Sequence, residues 1–402
     1  MTASAPARVE PESVGLSSAR LRRIGEALRR EVADGQIPGA VVGIMRAGRL
    51  AHLEAVGHRD PAGKEPLATD AIFSIASMTK PMTSTAVMML VEEGRVLLAD
   101  PISKYLPPLA ALKVAQDGGR SESRAPKQAP TVQDLLRHTS GLTYAERGST
   151  PAHKAYPGSS IVTAERMAKA DTIAALAKSP LLFDPGADWE YGFSTDVLGF
   201  IVEAVTAQTL GAFLAQRLWT PLGMSDTGFA LPAAKRARYA LALAKDPVTG
   251  GANTIIHHST DKTQIWESGG GGAVSTAADY LRFAEMLRAG GRLGSADILG
   301  RGTVKLMTSD HLPATLGGRI AETMDPAATG YGFGLGFAVR RQDGIAAMAG
   351  SAGDYYWSGV YGTYFWVDPR EELTVVFLAA APGLIRLRYR QMLRNLVYQA
   401  LG

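Results

Sequence analysis

Apolar and polar residues alternate with two different periods along this chain. Apolar positions recur every three or four residues over 17–32, which predicts an amphipathic helix. Residues 40–45 and 50–56 form two apolar runs separated by a short polar turn, as expected of two paired strands. Near the other end, residues 332–338 and 360–380 alternate like antiparallel strands before a last helical stretch. Both ends of the chain therefore predict strands of one sheet.

Between these ends the spacing is mostly helical. Helices are predicted at 164–178, 197–206 and 277–289, and residues 98–147 are helical and rich in loops. A sheet built from both chain ends, with helices inserted between them, predicts an α/β (α+β) fold. In this fold an antiparallel sheet is flanked by helices and carries an inserted, mainly helical lobe.

A chain of 402 residues is too long for one simple core, so two lobes are expected. We assign residues 1–85, 146–207 and 265–402 to the α/β lobe. Residues 86–145 and 208–264 are assigned to the helical lobe.

The composition of the chain limits where the protein can be located and which side-chain chemistry it can use. Hydrophobic residues make up 46% and charged residues 20%, which is ordinary for a globular protein. No apolar run is long enough to cross a bilayer, and the first residues lack the basic-then-apolar layout of a secretion signal. We therefore expect a cytoplasmic protein without a membrane partner. Zero cysteines exclude disulfides and thiol chemistry.

The net charge is +4, and the densest basic group falls in the last helical stretch: Arg386, Arg388, Arg390 and Arg394. We interpret this stretch as an amphipathic helix with a solvated basic face. There is no zinc-finger, helix-turn-helix or RNA-binding signature, so no nucleic-acid partner is predicted.

Ser77 and Lys80 are the most informative polar residues, because they lie three positions apart ahead of an apolar run. A helix beginning near Ser77 places both on one face, where the Lys80 amine can reach the serine oxygen. A serine hydroxyl needs an adjacent base to act as a nucleophile, and a lysine in a dry pocket can be that base. On local context alone, a serine that merely caps a helix explains the pattern equally well.

Other motifs are excluded or weak. The same four-residue pattern recurs at 259–262, in a polar run that we interpret as a loop. No G-x-S-x-G motif occurs, which excludes the α/β-hydrolase nucleophile elbow. The histidines form no H-E-x-x-H pattern, so neither a metal nor another cofactor is predicted. The glycines 269–272 lack the lysine of a phosphate loop and predict a flexible or closely approaching loop.

Two later segments add candidates. Tyr191 follows a turn and precedes an apolar helix, where it could extend into a cleft beside a lysine or simply pack on the helix start. Residues 357–362 read Trp-Ser-Gly-Val-Tyr-Gly and begin a predicted strand. The glycines there would let the backbone approach a bound acyl group, with an amide N–H free to donate.

Together, in this order and spacing, these residues resemble the serine β-lactamases and penicillin-binding proteins. The resemblance is greatest to the family VIII carboxylesterases, which are similar to class C β-lactamases. It extends over nearly the whole chain through the S-x-x-K motif and four further blocks: 77–80, 135–142, 221–224, 269–276 and 330–336. Tyr191 lies where the family carries its Y-x-N tyrosine, and residues 357–359 lie where β-lactamases carry K-T-G.

The chain departs from the β-lactamase pattern at two positions. Phe193 replaces the amide that orients a β-lactam side chain, and Trp357 replaces the cation that holds the substrate carboxylate. Both losses favour a neutral, apolar ester over an anionic amide.

The resemblance implies a two-step acyl transfer in which Ser77 attacks an ester carbonyl. Lys80 and Tyr191 share the proton, and which of them is the base is left open. The backbone N–H groups of Ser77 and Val360 are expected to hold the oxyanion, and water activated through Tyr191 releases the acid. The expected substrate wall consists of seven residues: Phe193, Tyr355, Tyr356, Trp357, Ser358, Gly359 and Tyr361.

The expected function is therefore a serine carboxylesterase for short-chain, neutral esters, with at most weak cephalosporinase activity. Three alternatives stay open: a β-lactamase or D-alanyl peptidase, an acyltransferase to an alcohol, and a non-catalytic binding protein on the same scaffold. Intact Ser77, Lys80 and Tyr191 argue against the last of these. The natural substrate and the oligomeric state are left open.

Overall fold

Strands from both ends of the chain form one eight-stranded antiparallel sheet in the computed structural model, which describes residues 8–253 and 264–402. The described strands are β1 (Gly39–Arg46), β2 (Arg49–Asp60), β3 (Glu65–Pro66), β4 (Phe73–Ser74), β5 (Val114–Gln116), β6 (Ser121–Arg124), β7 (Val274–Ser275), β8 (Arg292–Leu293), β9 (Ala296–Asp297), β10 (Tyr331–Phe333), β11 (Ala338–Arg340), β12 (Tyr355–Ser358), β13 (Tyr364–Asp368) and β14 (Leu373–Ala379). The large sheet has the order β10-β11-β12-β13-β14-β1-β2-β3. The other strands pair as β4-β7, β5-β6 and β8-β9.

The centre of this sheet joins N-terminal and C-terminal strands. β1 pairs with β14 in a register that sets Ala40 opposite Ala379, and with β2 in a register that sets Gly39 opposite Gly57. Every residue of β14 is buried, and so is every residue of β1 except the last. Strands covered on both faces read as continuous apolar runs, which is why these two sequences show little alternation.

Helices cover the sheet and fill the sequence between its halves. The described α-helices are α1 (Ser18–Ala33), α2 (Thr79–Glu92), α3 (Val132–Leu136), α4 (Pro151–Lys154), α5 (Ser160–Arg166), α6 (Lys169–Lys178), α7 (Ser194–Thr206), α8 (Leu210–Leu214), α9 (Thr220–Leu222), α10 (Ala277–Arg288), α11 (Arg301–Met307), α12 (Arg319–Thr323) and α13 (Ile385–Tyr398). α10 packs against β1, β13 and β14, while α1 packs against β2 and α13. The predicted fold class is confirmed; the lobe boundaries stay a prediction.

The helix predicted at 164–178 is wrong, because two helices, α5 and α6, occupy that region. Met167 adopts an extended conformation (φ −130°, ψ 139°) and its N–H still bonds back to Thr163. Ala168 is also extended and precedes the first residue of α6. Helical spacing of apolar residues continues across this break, so periodicity alone could not locate it. The helices predicted at 197–206 and 277–289 correspond to α7 and α10.

The sequence predicts a solvated basic face on α13, but the structure buries some of its arginines. Arg388 is exposed and pairs with Glu31. Arg394 is fully buried and donates hydrogen bonds to Asp354 and to the Tyr364 hydroxyl. The prediction of a solvated face is therefore wrong for Arg390 and Arg394, which are both buried. The buried carboxylates of Asp325 and Asp354 compensate their charges.

Within the described ranges, no single helix is long and apolar enough to cross a bilayer. One bent pair, Ser194–Thr206 with Leu210–Leu222, passes the same test of length and composition across a 79° bend. In the fold, residues 194–202 of that pair are all buried, as in the core helix of a globular protein.

Candidate active site

Ser77 lies in a tight turn that leads into a buried helix. The turn, Ala76–Met78, is a 3₁₀-helix that continues directly into α2. The Tyr280 hydroxyl donates a 2.8 Å hydrogen bond to the last carbonyl of this turn. Ala76 adopts φ 44°, a left-handed conformation that residues with a Cβ rarely occupy. Such strain persists only where the surrounding contacts impose it, so the position of Ser77 is determined by its neighbours.

Lys80, in the first turn of α2, is 2% exposed, and its amine has three partners. Nζ lies 3.3 Å from the Ser77 hydroxyl and 3.3 Å from the Tyr144 hydroxyl, and it donates to the Gly270 carbonyl. An ammonium group has three N–H donors, and a neutral amine has two N–H donors and a lone pair, so either form of the lysine can engage all three partners. The structure thus brings together the two residues that the S-x-x-K pattern selected.

A chain of hydroxyl groups leads from Lys80 to a buried carboxylate. The Tyr144 hydroxyl is hydrogen-bonded to the Ser160 hydroxyl. Ser160 in turn donates to Asp196 Oδ2 at 2.5 Å. Asp196 is 0% exposed, in the first turn of α7. Because the carboxylate can only accept, both hydroxyl protons in this chain point away from Lys80.

The same carboxylate fixes the glycine loop that contacts Lys80. Asp196 Oδ1 accepts hydrogen bonds from the Ser268 hydroxyl at 2.6 Å and from the Gly270 N–H at 2.9 Å. A Cβ on Gly270 would lie 2.4 Å from Asp196 Oδ2, so only glycine permits this approach. The close approach expected of residues 269–272 is therefore confirmed, and it presents the Gly270 carbonyl to the lysine amine.

Burial changes the acidity of two members of this network. It raises the pKa of the Tyr144 phenol well above its usual value, and the nearby Asp196 charge adds to the effect. Burial also raises the pKa of Asp196, although Lys80 and three hydrogen bonds oppose that shift. Tyr144 is consequently a neutral phenol at physiological pH.

Tyr191 lies beside the lysine amine in a different setting. Lys80 Nζ is 4.4 Å from the centroid of its ring, which packs against His138 and Trp357 at centroid distances of 4.9 and 5.4 Å. The Tyr191 hydroxyl is buried and has no hydrogen-bond partner among the described residues. Burial, with the charges of Lys80 and Arg147, lowers the pKa of His138 well below its usual value, so this ring is neutral.

The end of β12 is held against the backbone just ahead of Ser77. The Thr363 hydroxyl donates to the Ile75 carbonyl at 3.1 Å, and the Gly359 N–H donates to the Thr363 carbonyl at 2.8 Å. A Cβ on Gly359 would lie 2.4 Å from the Ile75 oxygen. Glycine is therefore required there, and the next residue, Val360, reaches the same cavity as Ser77.

A cavity of about 490 Å³ opens over Ser77. Two residues of the predicted substrate wall, Ser358 and Tyr361, line it together with Tyr191. Val360, predicted as an oxyanion donor, lines it as well. Ala76, Ile161 and Tyr361 form an apolar cluster at this wall. Three arginines also line the cavity: Arg147, Arg386 and Arg390.

Four aromatic residues predicted for the substrate wall do not line the cavity. Trp357, Tyr355, Tyr356 and Phe193 are between 0% and 2% exposed. Trp357 packs against Tyr191 and Tyr356, and Phe193 packs against other rings. All four residues of β12 are buried, because the sheet is covered at this point. The structure therefore places these four rings behind the cavity wall.

Sequence reasoning missed Tyr144, Asp196 and the arginines that line the cavity. Tyr144 lies two residues after the motif block 135–142, and Asp196 lies five residues after Tyr191. Closeness to a matched motif was the only signal for either. The second S-x-x-K pattern, at 259–262, lies outside the described residues. Among those described, no three His, Asp or Glu side chains are grouped to hold a metal ion.

A family model described as beta-lactamase matches residues 24–396. The chain belongs to this family. Esterase EstB from Burkholderia gladioli is 29% identical over 390 residues, which cover 92% of this chain and 93% of EstB.

Solved structures agree with this assignment. "EstCE1, a hydrolase with promiscuous acyltransferase activity" has a TM-score of 0.78 at 27% identity, covering 94% of this chain and 99% of its own. A family VIII carboxylesterase has the same fold, with a TM-score of 0.69 at 20% identity over 96% of this chain and 99% of its own. The expected family resemblance and the serine hydrolase class are confirmed.

Proposed function

We propose that this serine hydrolase is a carboxylesterase that cleaves short-chain, neutral carboxylic esters through an acyl-enzyme on Ser77. The observation that carries the proposal is the set of three partners around the Lys80 amine. The esterase relatives support the reaction class, and the contacts around Lys80 support the assignment of roles.

Lys80 acts as the base in this proposal. The Gly270 carbonyl can only accept a hydrogen bond, and the proton of the Tyr144 hydroxyl is directed to Ser160. Both partners must therefore receive N–H groups from the lysine. A neutral amine has two N–H groups, so its lone pair is left for the hydroxyl of Ser77, 3.3 Å away. That arrangement lets the amine take the serine proton during attack.

The oxyanion is held by the backbone N–H groups of Ser77 and Val360. Support comes from the approach of Gly359 to the Ile75 carbonyl, which fixes the end of β12 beside the nucleophile turn. Two backbone donors fixed in advance stabilise the developing negative charge without reorganisation during the reaction.

Tyr191 is the second proton-transfer group. Its hydroxyl is not engaged by any described residue, and its ring is in contact with the Lys80 amine. In the first step Lys80 takes the Ser77 proton, and Tyr191 gives its own proton to the leaving alkoxide, which departs as the alcohol. In the second step the Tyr191 phenolate takes a proton from water, and the resulting hydroxide attacks the acyl-enzyme. Lys80 returns its proton to Ser77 as the acid is released.

The preference for neutral short esters over β-lactams rests on the cavity near Ser77. The cluster of Ala76, Ile161 and Tyr361 offers apolar contact to a short acyl chain. Trp357 provides no cation for a β-lactam carboxylate, and a cavity of about 490 Å³ suits a small ester. Cephalosporin hydrolysis is accordingly expected to be weak at most.

Chromogenic esters with acyl chains from acetate to octanoate test the function, in parallel with a chromogenic cephalosporin. We expect efficient turnover of the short esters, slow cephalosporin cleavage and a covalent mass adduct with a phosphonate inhibitor. Ser77→Ala should lose both the activity and the adduct. Labelling of another serine, or efficient penicillin hydrolysis, would contradict the proposal.

A second reaction, acyl transfer to an alcohol, is favoured by the similarity to EstCE1, a hydrolase with promiscuous acyltransferase activity. The acyl-enzyme would then react with an alcohol in place of water. Adding a short alcohol and measuring the ratio of new ester to free acid distinguishes the two outcomes. An ester yield above that expected from the alcohol concentration alone would indicate a transferase.

A further inference from the structure

Thr79, the first residue of α2, has a buried hydroxyl group with two partners. Its Oγ1 donates a hydrogen bond to the Ala76 carbonyl at 2.7 Å and accepts one from the Ala273 N–H at 3.0 Å. These directions are fixed, because a carbonyl oxygen can only accept a hydrogen bond and a backbone N–H can only donate one. Thr79 is 0% exposed, so both bonds lie in the protein interior.

Ala273 is bonded to the chain on both sides of the strained residue Ala76. The Ala273 carbonyl accepts a hydrogen bond from the Ile75 N–H at 3.0 Å, and the Ala273 N–H donates to Thr79. Ala76 lies between these two contacts and adopts φ 44°. The bond from the Thr79 hydroxyl to the Ala76 carbonyl completes this set of contacts. A left-handed conformation at a residue with a Cβ persists only where such contacts impose it.

The Ala76 carbonyl belongs to the same peptide group as the Ser77 N–H. A peptide group is planar and trans, so its C=O and its N–H point in opposite directions. A hydrogen bond that fixes the carbonyl on one side therefore fixes the direction of the N–H on the other side. The Tyr280 hydroxyl also holds this turn, but it bonds to the Met78 carbonyl, which belongs to a different peptide group.

We propose that Thr79 is a positioning residue for the oxyanion site: by holding the Ala76 carbonyl, its hydroxyl directs the Ser77 N–H toward the substrate oxygen that becomes negatively charged. This inference rests on the proposed esterase function and adds a residue to it. Thr79 does not line the cavity, so it acts without touching the substrate. A donor whose direction is fixed in advance stabilises the developing charge without reorganisation.

Thr79→Val tests the inference, because valine keeps the branched shape of threonine but has no hydroxyl to donate. The substrates are p-nitrophenyl butyrate and its thiono analogue, in which sulfur replaces the carbonyl oxygen. Sulfur accepts hydrogen bonds only weakly, so the thiono ester gains less from the oxyanion site. The readout is the ratio of kcat/KM for the oxygen ester to kcat/KM for the sulfur ester, and Ser77→Ala measures the background hydrolysis of each.

We expect Thr79→Val to lower kcat/KM for the oxygen ester by about 10- to 100-fold, which is less than the loss of about 10²- to 10³-fold when an oxyanion donor is deleted outright. The thiono ester should lose much less, so the ratio should fall by about tenfold. Thr79→Ser keeps the hydroxyl and should keep most of the ratio. If Thr79→Val does not fold, Thr79→Cys takes its place, because a thiol donates only weakly.

Thr85→Val is the matched control, because Thr85 lies on the same helix, is also 0% exposed, and donates its hydroxyl to the Pro81 carbonyl at 2.9 Å. It should leave the ratio unchanged, with thermal unfolding measured for each variant. If Thr79→Val lowers both rates equally, or if Thr79→Ser loses the ratio as completely as Thr79→Val, the inference is wrong. Failure of the wild type to cleave the oxygen ester would instead contradict the proposed esterase function.

Discussion

The two tyrosines beside Lys80 differ in how their hydroxyl groups are held. The Tyr144 hydroxyl is bonded to the lysine amine and to Ser160, and through Ser160 it reaches a buried carboxylate. The Tyr191 hydroxyl has no partner among the described residues, while its ring is packed on three sides by His138, Trp189 and Trp357. The Tyr144 hydroxyl is therefore fixed by its hydrogen bonds, whereas the Tyr191 hydroxyl is available to bond to a substrate.

This difference separates positioning from proton transfer. A phenol whose proton is committed to a hydrogen-bond chain orients its neighbour, and burial keeps Tyr144 neutral. A phenol without a committed partner can bond to a substrate oxygen and change partners during the reaction. The contrast assigns positioning to Tyr144 and proton transfer to Tyr191, and four substitutions test it.

The largest effect is expected from Lys80→Ala. Removal of the amine removes the base and leaves the Gly270 carbonyl and the Tyr144 hydroxyl without their shared donor. We expect kcat/KM for a short ester to fall by about 10³- to 10⁴-fold, at the upper end of general-base assistance. Steady-state kinetics checks this, with thermal unfolding as a control for folding. A loss below about tenfold would remove Lys80 from the mechanism.

Tyr191→Phe should lower kcat by about 10²-fold with little change in unfolding temperature. The ring contacts remain, and the hydroxyl that is lost has no described partner in the fold. Stopped-flow measurement of alcohol release and acid release should show both steps slowed. Near-full activity would return Tyr191 to a packing role.

Tyr144→Phe should have a smaller effect on kcat, about tenfold, because the phenol acts through the lysine. It should also lower the unfolding temperature, since Ser160 loses a buried partner. When Tyr144→Phe is combined with Tyr191→Phe, the two losses of kcat should be far from additive, because both residues act on one proton path. A greater loss for Tyr144→Phe than for Tyr191→Phe would exchange the roles assigned to the two tyrosines.

Asp196→Asn is expected to have the smallest effect on activity, a loss of about fivefold at the pH optimum. The amide keeps the shape but removes the negative charge that acts on Lys80 through the network. Asp196 does not line the cavity, so the loss should appear in kcat and leave KM unchanged. Steady-state kinetics with a short ester checks this, with thermal unfolding as a control for folding. A lower unfolding temperature with unchanged kcat would indicate that Asp196 is only structural.

Sequence patterns predicted the parts of this site that depend on short motifs of neighbouring residues. Ser77 and Lys80 are one helical turn apart, and Tyr191 lies in a motif position, so each could be found without coordinates. The antiparallel sheet followed from apolar runs at both chain ends in the same way. Local signals of this kind are strong because helix and strand periods are fixed by backbone geometry.

The parts of the site that the sequence did not predict depend on contacts between residues that are far apart in the sequence. Tyr144 and Asp196 acquire their roles from Ser160 and Gly270, which are remote in sequence. Likewise, the sequence shows Arg386 and Arg394 only as two basic residues of the same amphipathic helix. In the structure Arg394 is compensated by Asp354, and Arg386 lines the cavity. The resemblance placed Trp357 on the cavity wall, because residues 357–359 lie where β-lactamases carry K-T-G. It could not show that both faces of β12 are covered.

The pairing at the centre of the large sheet has a consequence for how the protein folds. Ala40 and Ala379 are neighbours in space and lie near opposite ends of the sequence. The entropy of closing so long a loop must be lost before this pairing forms, which raises the contact order and slows folding. During synthesis, β1 and β2 leave the ribosome long before β14 exists to pair with β1. The early hairpin therefore exposes an apolar edge that invites contact with other chains until the last strand arrives.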